Sequence, residues 1–206
     1  IFMDFLTGKS LSDTIHDTLF MAEKELIIIS PYIQISDYLR ENVFKQHLYN
    51  PKLHIIIGFN SYKENQTFSF RGSGMEYFLN FPNLTLVYIP QLNAKYYANE
   101  RQLVSTSMSL LSYPLINSID FGVFAEKSFN IVGKNNFYET SKNTVMSVID
   151  SGYTVFAKRP LYSKKLLGLS KAYAGSAVYL NLLDDVIANR SIEPIRYSSL
   201  ISEIGR

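Results

Sequence analysis

The chain has no cysteine among its 206 residues and only three histidines. Without cysteine there is no disulfide framework, no thiolate zinc site and no thiol nucleophile. The same absence fits a reducing compartment, so a cytoplasmic location is expected. His16, His47 and His54 are scattered, without metal-ligand spacing. His16 is expected at the border of a helix's apolar stripe and His54 at a strand edge, both structural. No run of about 18 apolar residues occurs, so no membrane-spanning helix is expected. The sequence does not open on a basic segment followed by an apolar one, so no signal peptide is expected either. The formal net charge is only +2, which does not by itself point to nucleic acid.

What the chain does have is apolar residues, at 47%, enough for one domain with a sizeable core. Leu11, Ile15, Leu19 and Ala22 form a helical stripe over residues 10–24, with Ser10 as its predicted cap. Residues 25–30 and 53–59 are short apolar runs that predict fully buried, parallel strands. A helix over 35–48 separates them, with Ile35, Leu39, Val43 and Leu48 facing inward. A helix over 75–81 and a strand over 84–89 continue the alternation. The order α-β-α-β-α-β predicts an α/β fold whose mixed, mostly parallel sheet is sandwiched between helices.

Residues 92–110 predict an antiparallel hairpin that carries Lys, Asn, Ser and Thr where buried strands normally carry Val or Ile. A strand over 119–125 follows. Asn136 is the predicted cap of a further helix and Gly152 its C-terminal glycine. Residues 164–174 are expected to be a short helix. The division expected is one domain over 1–189 and a loosely docked arm over 190–206. Charge is unevenly spread. From Ser151 to Asn181 there is no Asp or Glu, while Lys158, Arg159, Lys164, Lys165 and Lys171 are interleaved with tyrosines. That stretch is either a phosphate-binding surface, with Lys158, Arg159, Lys164 and Lys165 as its cations, or an ordinary solvated face.

The spacing Asn93-x-Lys95-x4-Glu100, followed by Thr106-Ser107-Met108-Ser109 and then Asp120, resembles the signature of the phospholipase D superfamily. That signature is His-x-Lys-x4-Asp, then Gly-Ser-x-Asn and a downstream Glu. Phe5-Leu6-Thr7-Gly8, Ile29-Ser30-Pro31-Tyr32-Ile33 and Lys165-Leu166-Leu167-Gly168-Leu169-Ser170 extend the resemblance, toward single-motif bacterial phospholipase D-like proteins, over roughly residues 4–175. The resemblance implies phosphodiester chemistry without metal or cofactor. One histidine attacks phosphorus, a second protonates the leaving oxygen, and Lys, Ser and Asn hold the non-bridging oxygens. One motif per chain is half a site, so a homodimer with both motifs at its two-fold axis is also implied.

The sequence departs from that pattern at the nucleophile. Asn93 stands in the histidine position, and an amide is neither a nucleophile nor an acid or base near neutral pH. Ser109 stands where the pattern has Asn, and Glu100 and Asp120 each exchange one acid for the other. Lys95 and Ser107 are retained. The expected site residues are therefore Asn93, Lys95, Glu100, Ser107, Ser109 and Asp120. Asn93 reads either as natural degeneracy or as a His→Asn change that inactivates an enzyme. The leading expectation is a catalytically impaired protein that binds a phosphate-bearing partner, nucleic acid above all. The alternatives are a metal-independent endonuclease of restriction or DNA-processing type held in an inactive form, and a scaffolding homodimer.

Overall fold

The chain builds one open nine-stranded sheet in the order β1-β7-β6-β5-β2-β3-β4-β8-β9. The computed structural model describes residues 3–60, 74–110, 118–128, 136–165 and 170–205, the side chain of Lys165 excepted. The strands are β1 (Met3–Thr7), β2 (Glu25–Ile29), β3 (His54–Phe59), β4 (Leu84–Tyr88), β5 (Tyr96–Asn99), β6 (Gln102–Thr106), β7 (Phe121–Glu126), β8 (Tyr153–Lys165) and β9 (Ser170–Asn181). The helices are α1 (Gly8–Phe20), α2 (Asp37–Leu39), α3 (Gly74–Phe78), α4 (Phe137–Ser151), α5 (Leu183–Ile187) and α6 (Tyr197–Ile204).

The isoleucine runs set the centre. In β2, Leu26 and Ile28 enter the core beneath α1, while Ile27 and Ile29 enter the core beneath α4 and α6. Both faces of the strand are thus buried, which is why it reads as a continuous apolar run rather than an alternation. Leu11, Ile15 and Leu19 of α1 are buried against one face, and Tyr138, Ile149 and Tyr197 of α4 and α6 against the other. Burial of each such side chain is worth about 1.5–3 kcal/mol. Helices therefore cover both faces of a mixed sheet, as predicted.

The balance of strand directions differs from expectation. Among the described residues only the β2–β3 and β3–β4 ladders of the eight are parallel, so the sheet is mostly antiparallel. The α-β alternation stops at β4, and hairpins, which need no helical crossover, supply the rest. Of the residues expected as a helix over 164–174, 164–165 and 170–174 instead belong to the paired strands β8 and β9, and 166–169 lie outside the described residues. Tyr162, Tyr173 and Tyr179 are strand formers, and cross-strand pairing overrides the local Leu-rich pattern.

Smaller corrections have local causes. Residues 35–48 are helical throughout their middle, but α2 passes into a π turn over Arg40–Phe44 and a 3-10 turn over Lys45–His47. Thr7, not Ser10, is the N-cap of α1, and Ser10 Oγ donates to the Thr7 carbonyl at 2.8 Å. Asn136 caps α4 as predicted, its Oδ1 accepting from Tyr138 N at 3.1 Å. Gly152 ends α4 with φ −81°, so it is not the left-handed cap expected. Close packing requires it instead, because a Cβ there would lie 2.8 Å from the Tyr88 carbonyl oxygen. His54 is no edge residue. It is buried in a central strand with Nε2 2.9 Å from Thr85 Oγ1. Residues 190–206, expected as a loose arm, carry α6, whose Tyr197 and Leu200 are buried. Thr154 N donates to the Ile195 carbonyl at 2.8 Å, and Ser198 N to Asp150 Oδ1 at 2.7 Å.

Candidate functional site

The strand register brings the candidate residues to one edge. β2, β3 and β4 run parallel, and Ile29, Gly58 and Val87 are aligned near their carboxyl ends. The chain then leaves β4, crosses the carboxyl ends of β3 and β2, and enters β5 antiparallel on the far side of β2. Open sheets with parallel strands bind ligands outside those carboxyl ends, where the connections diverge. The crossing segment is the one that carries Asn93 and Lys95. It is braced at several points. Ile89 N donates to the Phe59 carbonyl at 2.7 Å, and Asn60 Nδ2 donates to the Leu92 carbonyl at 3.4 Å. Gln91 adopts φ 61°, a left-handed conformation uncommon outside glycine, at the turn that starts the crossing. Asn60 had no sequence signal, because its role depends on a contact with the far end of another strand.

Asn93 and Lys95 lie just ahead of β5 rather than within a buried strand, correcting the hairpin expectation. Asn93 is exposed and Lys95 half-buried. The Lys95 carbonyl accepts from Thr106 N at 3.0 Å, so Lys95 extends the β5–β6 ladder by one residue. Extended geometry puts it in phase with Tyr97, on the α1 side of the sheet. Tyr97 is fully buried there and donates its hydroxyl to the Met108 carbonyl at 2.9 Å. That bond holds the turn after β6, with Ser107 and the half-buried Ser109, beside the start of β5. Burial first, and the nearby Asp120 second, raise the Tyr97 phenol well above its ordinary range, so it stays a neutral donor.

Asp120 closes the group from the start of β7. Its carboxylate accepts from Ser107 Oγ at 2.7 Å and from Ser118 Oγ, and its carbonyl accepts from Thr7 Oγ1 at 2.8 Å. Phe121 N donates back to Ser107 Oγ at 3.1 Å. The single Ser107 proton is therefore given to Asp120, and Ser107 must turn away from it to donate to a ligand. Neither the Lys95 ammonium nor the Asn93 amide has an ion pair or side-chain hydrogen bond among the described residues. Those two groups, with five N–H donors between them by side-chain chemistry, are the site's available capacity for an anion. No cluster of His, Asp and Glu able to hold a metal occurs among the described residues.

Glu100, Lys158, Arg159 and Lys164 lie elsewhere. Glu100 is five residues beyond Lys95 along the hairpin, about 17 Å away at strand rise. Its carboxylate accepts from the backbone N–H groups of Glu23, Lys24 and Glu25 at 3.2–3.4 Å, tying the α1–β2 turn to the hairpin tip. It is a structural acid. Arg159 is not on a basic surface but only 3% exposed, and Lys158 Nζ donates to the Leu79 carbonyl at 2.9 Å. Both belong to the opposite end of the sheet, where Lys158 pairs with Leu84. Lys164 is exposed on the β8–β9 hairpin, and the Lys165 side chain lies outside the described residues.

Neither a protein-family model nor a curated protein matches this chain. Solved structures do. NucT from Helicobacter pylori is similar with a TM-score of 0.55 at 10% identity, over 73% of this chain and 97% of that one. A phospholipase D family member, Nuc from Salmonella typhimurium, is similar with a TM-score of 0.51 at 8% identity, over 74% of this chain and 98% of that one. At such identities the likeness speaks for architecture alone. The chain has a phospholipase D-like fold.

Proposed function

We propose that this protein binds a phosphate-bearing partner, nucleic acid above all, at the carboxyl edge of its sheet, and that it does not cleave that partner by the histidine mechanism. The observation that carries the reading is Lys95. Lys95 is half-buried, has no carboxylate paired to it among the described residues, and is held by its backbone carbonyl to Thr106 N, next in the chain to the Ser107 that Asp120 binds. Lysine supplies the point charge that phosphate oxygens need, and Asn93 adds two amide donors. Asn93 cannot attack phosphorus or shuttle a proton, so ground-state binding is what the arrangement offers.

A homodimer belongs to the same reading. Ile119 and Phe121, which flank Asp120, are 86% and 50% exposed, and Phe121 stacks on the exposed Phe5 at 5.6 Å. An apolar patch bordering a half-site is suited to a second copy, which would add a second Lys95 to the anion. A cytoplasmic setting fits a chain free of cysteine. No helix among the described residues is long and apolar enough to cross a membrane.

A titration of labelled DNA and RNA across a salt series tests the reading. Affinity is expected to fall steeply as salt rises, and Lys95→Ala is expected to weaken binding about tenfold and flatten the salt slope by about one unit. Affinity that ignores salt, or a Lys95→Ala protein that binds like the parent, would count against it.

A further inference from the structure

Past Lys158, which pairs with the first residue of β4, β8 has no neighbour in the sheet except β9 among the described residues. The two strands continue as a ribbon beyond the amino-terminal edge of the central sheet. Residues directly opposite one another on paired strands share a face, and so do every second residue along a strand. The register opposes Tyr162 to Tyr173 and Lys164 to Lys171, with Ser163 and Ala172 between them. One face of the ribbon therefore carries two tyrosines followed by two lysines, while Ser163 and Ala172, then Lys165 and Ser170, take the other. A register shift next to Leu161, near Gly175 at φ 117°, marks the bulge that turns this end of the ribbon.

All four residues are exposed, Tyr162 and Tyr173 at 46% and 44%. Their rings meet edge to face with centroids 6.4 Å apart. Ser176 Oγ gives its proton to the Pro82 carbonyl at 2.8 Å, so the Tyr173 hydroxyl, 2.9 Å from Ser176 Oγ, is the donor between them. That chain fixes the Tyr173 ring to the body of the protein. Like charges directly opposite each other destabilise a strand pair, and neither Lys164 nor Lys171 forms an ion pair among the described residues. Residues 151–181 contain no Asp or Glu to relieve the pair. A two-stranded ribbon is marginal on its own, and this one spends its outer face on open rings and repelling cations. An occupant with flat apolar faces and a regular negative charge complements both.

We infer that this face of the ribbon binds single-stranded nucleic acid, with bases stacked on Tyr162 and Tyr173 and phosphates against Lys164 and Lys171. Aromatic rings beside a cationic track are the recurrent means of holding unpaired bases. In a duplex the bases are already stacked on one another, and open rings gain nothing from them. The inference rests on the nucleic-acid reading above and adds a second contact to it. Counted by strand rise and spacing, the Lys164–Lys171 pair and Lys95 are on the order of 40 Å apart, at opposite ends of the sheet. A strand held at the ribbon is thus held independently of the Lys95 site.

The test is fluorescence anisotropy on the full chain with a labelled mixed-sequence single strand, the corresponding duplex, and inorganic polyphosphate as competitor. The proteins are the parent, Tyr162→Ala/Tyr173→Ala, Tyr162→Phe/Tyr173→Phe, Lys164→Gln/Lys171→Gln and Lys95→Ala. The alanine pair is expected to lose about tenfold or more for the single strand and little for the duplex, while the phenylalanine pair keeps its affinity. The lysine pair is expected to reduce the salt slope by about 1.4, the share of two phosphates on a single strand. Alanine variants that bind the single strand like the parent overturn the ribbon. So does an equal loss for single strand and duplex. If Lys95→Ala weakens binding and the ribbon variants do not, the ribbon inference fails and the Lys95 reading stands. If the ribbon variants weaken it and Lys95→Ala does not, the Lys95 site fails and the ribbon stands.

Discussion

Asn93→His combined with Ser109→Asn is expected to convert the protein into a metal-independent phosphodiesterase. On the reading proposed above, most of what phosphoryl chemistry of this kind asks for is present. Lys95 supplies charge, Asp120 holds Ser107, and the segment that presents position 93 is braced by Asn60 and by the backbone of β3. What is missing is a group able to attack phosphorus and one able to carry a proton near neutral pH. An imidazole does both, because its unperturbed pKa is about 6.5. In a two-fold dimer one substitution supplies two imidazoles, a nucleophile and a general acid. Asn at 109 adds an amide donor for a non-bridging oxygen, and single donors of that kind are worth about 100-fold or more in rate. Nicking of supercoiled plasmid in EDTA should therefore rise at least about 100-fold over the parent, with a phosphohistidine trapped on the protein. Asn93→His alone should give a smaller gain. A dimeric, folded double variant that still fails to nick would mean that this edge is not a latent catalytic centre.

The second large effect is on stability. Arg159→Leu is expected to lower unfolding free energy by about 3–5 kcal/mol, a large share of the 5–15 kcal/mol typical of a domain. The guanidinium donates from Nε to the Gly205 carbonyl at 3.0 Å, from Nη1 to the Leu84 and Lys158 carbonyls at 3.2 and 2.9 Å, and from Nη2 to Thr85 Oγ1 at 2.9 Å. It thus joins β4, β8 and the end of α6. Desolvation lowers its pKa, yet an arginine remains charged at any pH of interest. Burying that cation is costly, but removing it takes four hydrogen bonds at once from the β4–β8–α6 junction, and a buried acceptor left without its donor, such as the Leu84 carbonyl, costs about 1–3 kcal/mol. The loss therefore outweighs the relief. Urea unfolding should show a lower midpoint with an unchanged slope, and hydrogen exchange should show α6 loosened. A stable Arg159→Leu protein with weakened nucleic-acid binding would instead return Arg159 to a binding surface.

The contrast between these two predictions follows what the sequence could show. The centre of the fold was legible because β2, β3 and β4 are short isoleucine- and leucine-rich runs, and α1 and α4 carry regular stripes and a clear Asn136 cap. The candidate site was legible because its residues sit on one hairpin and the next strand, at spacings that survive as a pattern. Arg159 reads as surface charge because three of its four acceptors come from two distant segments, 84–85 and 205. Glu100 was read as part of the site because its true partners, the N–H groups of 23–25, are some 75 residues away in the chain. Residues 164–174 of the β8–β9 ribbon read as helix because local composition cannot display a cross-strand partner. Contacts that are remote in sequence account for each of these differences.

Whether Lys95 holds phosphate decides what this edge of the sheet does. A crystal structure of the parent protein soaked in inorganic phosphate asks that directly. The expected result is a two-fold dimer with phosphate at its axis, contacted by Lys95 Nζ and Asn93 Nδ2 of both copies. Phosphate bound elsewhere while Lys95 stands unoccupied, or a dimer whose axis lies far from Lys95, would contradict it.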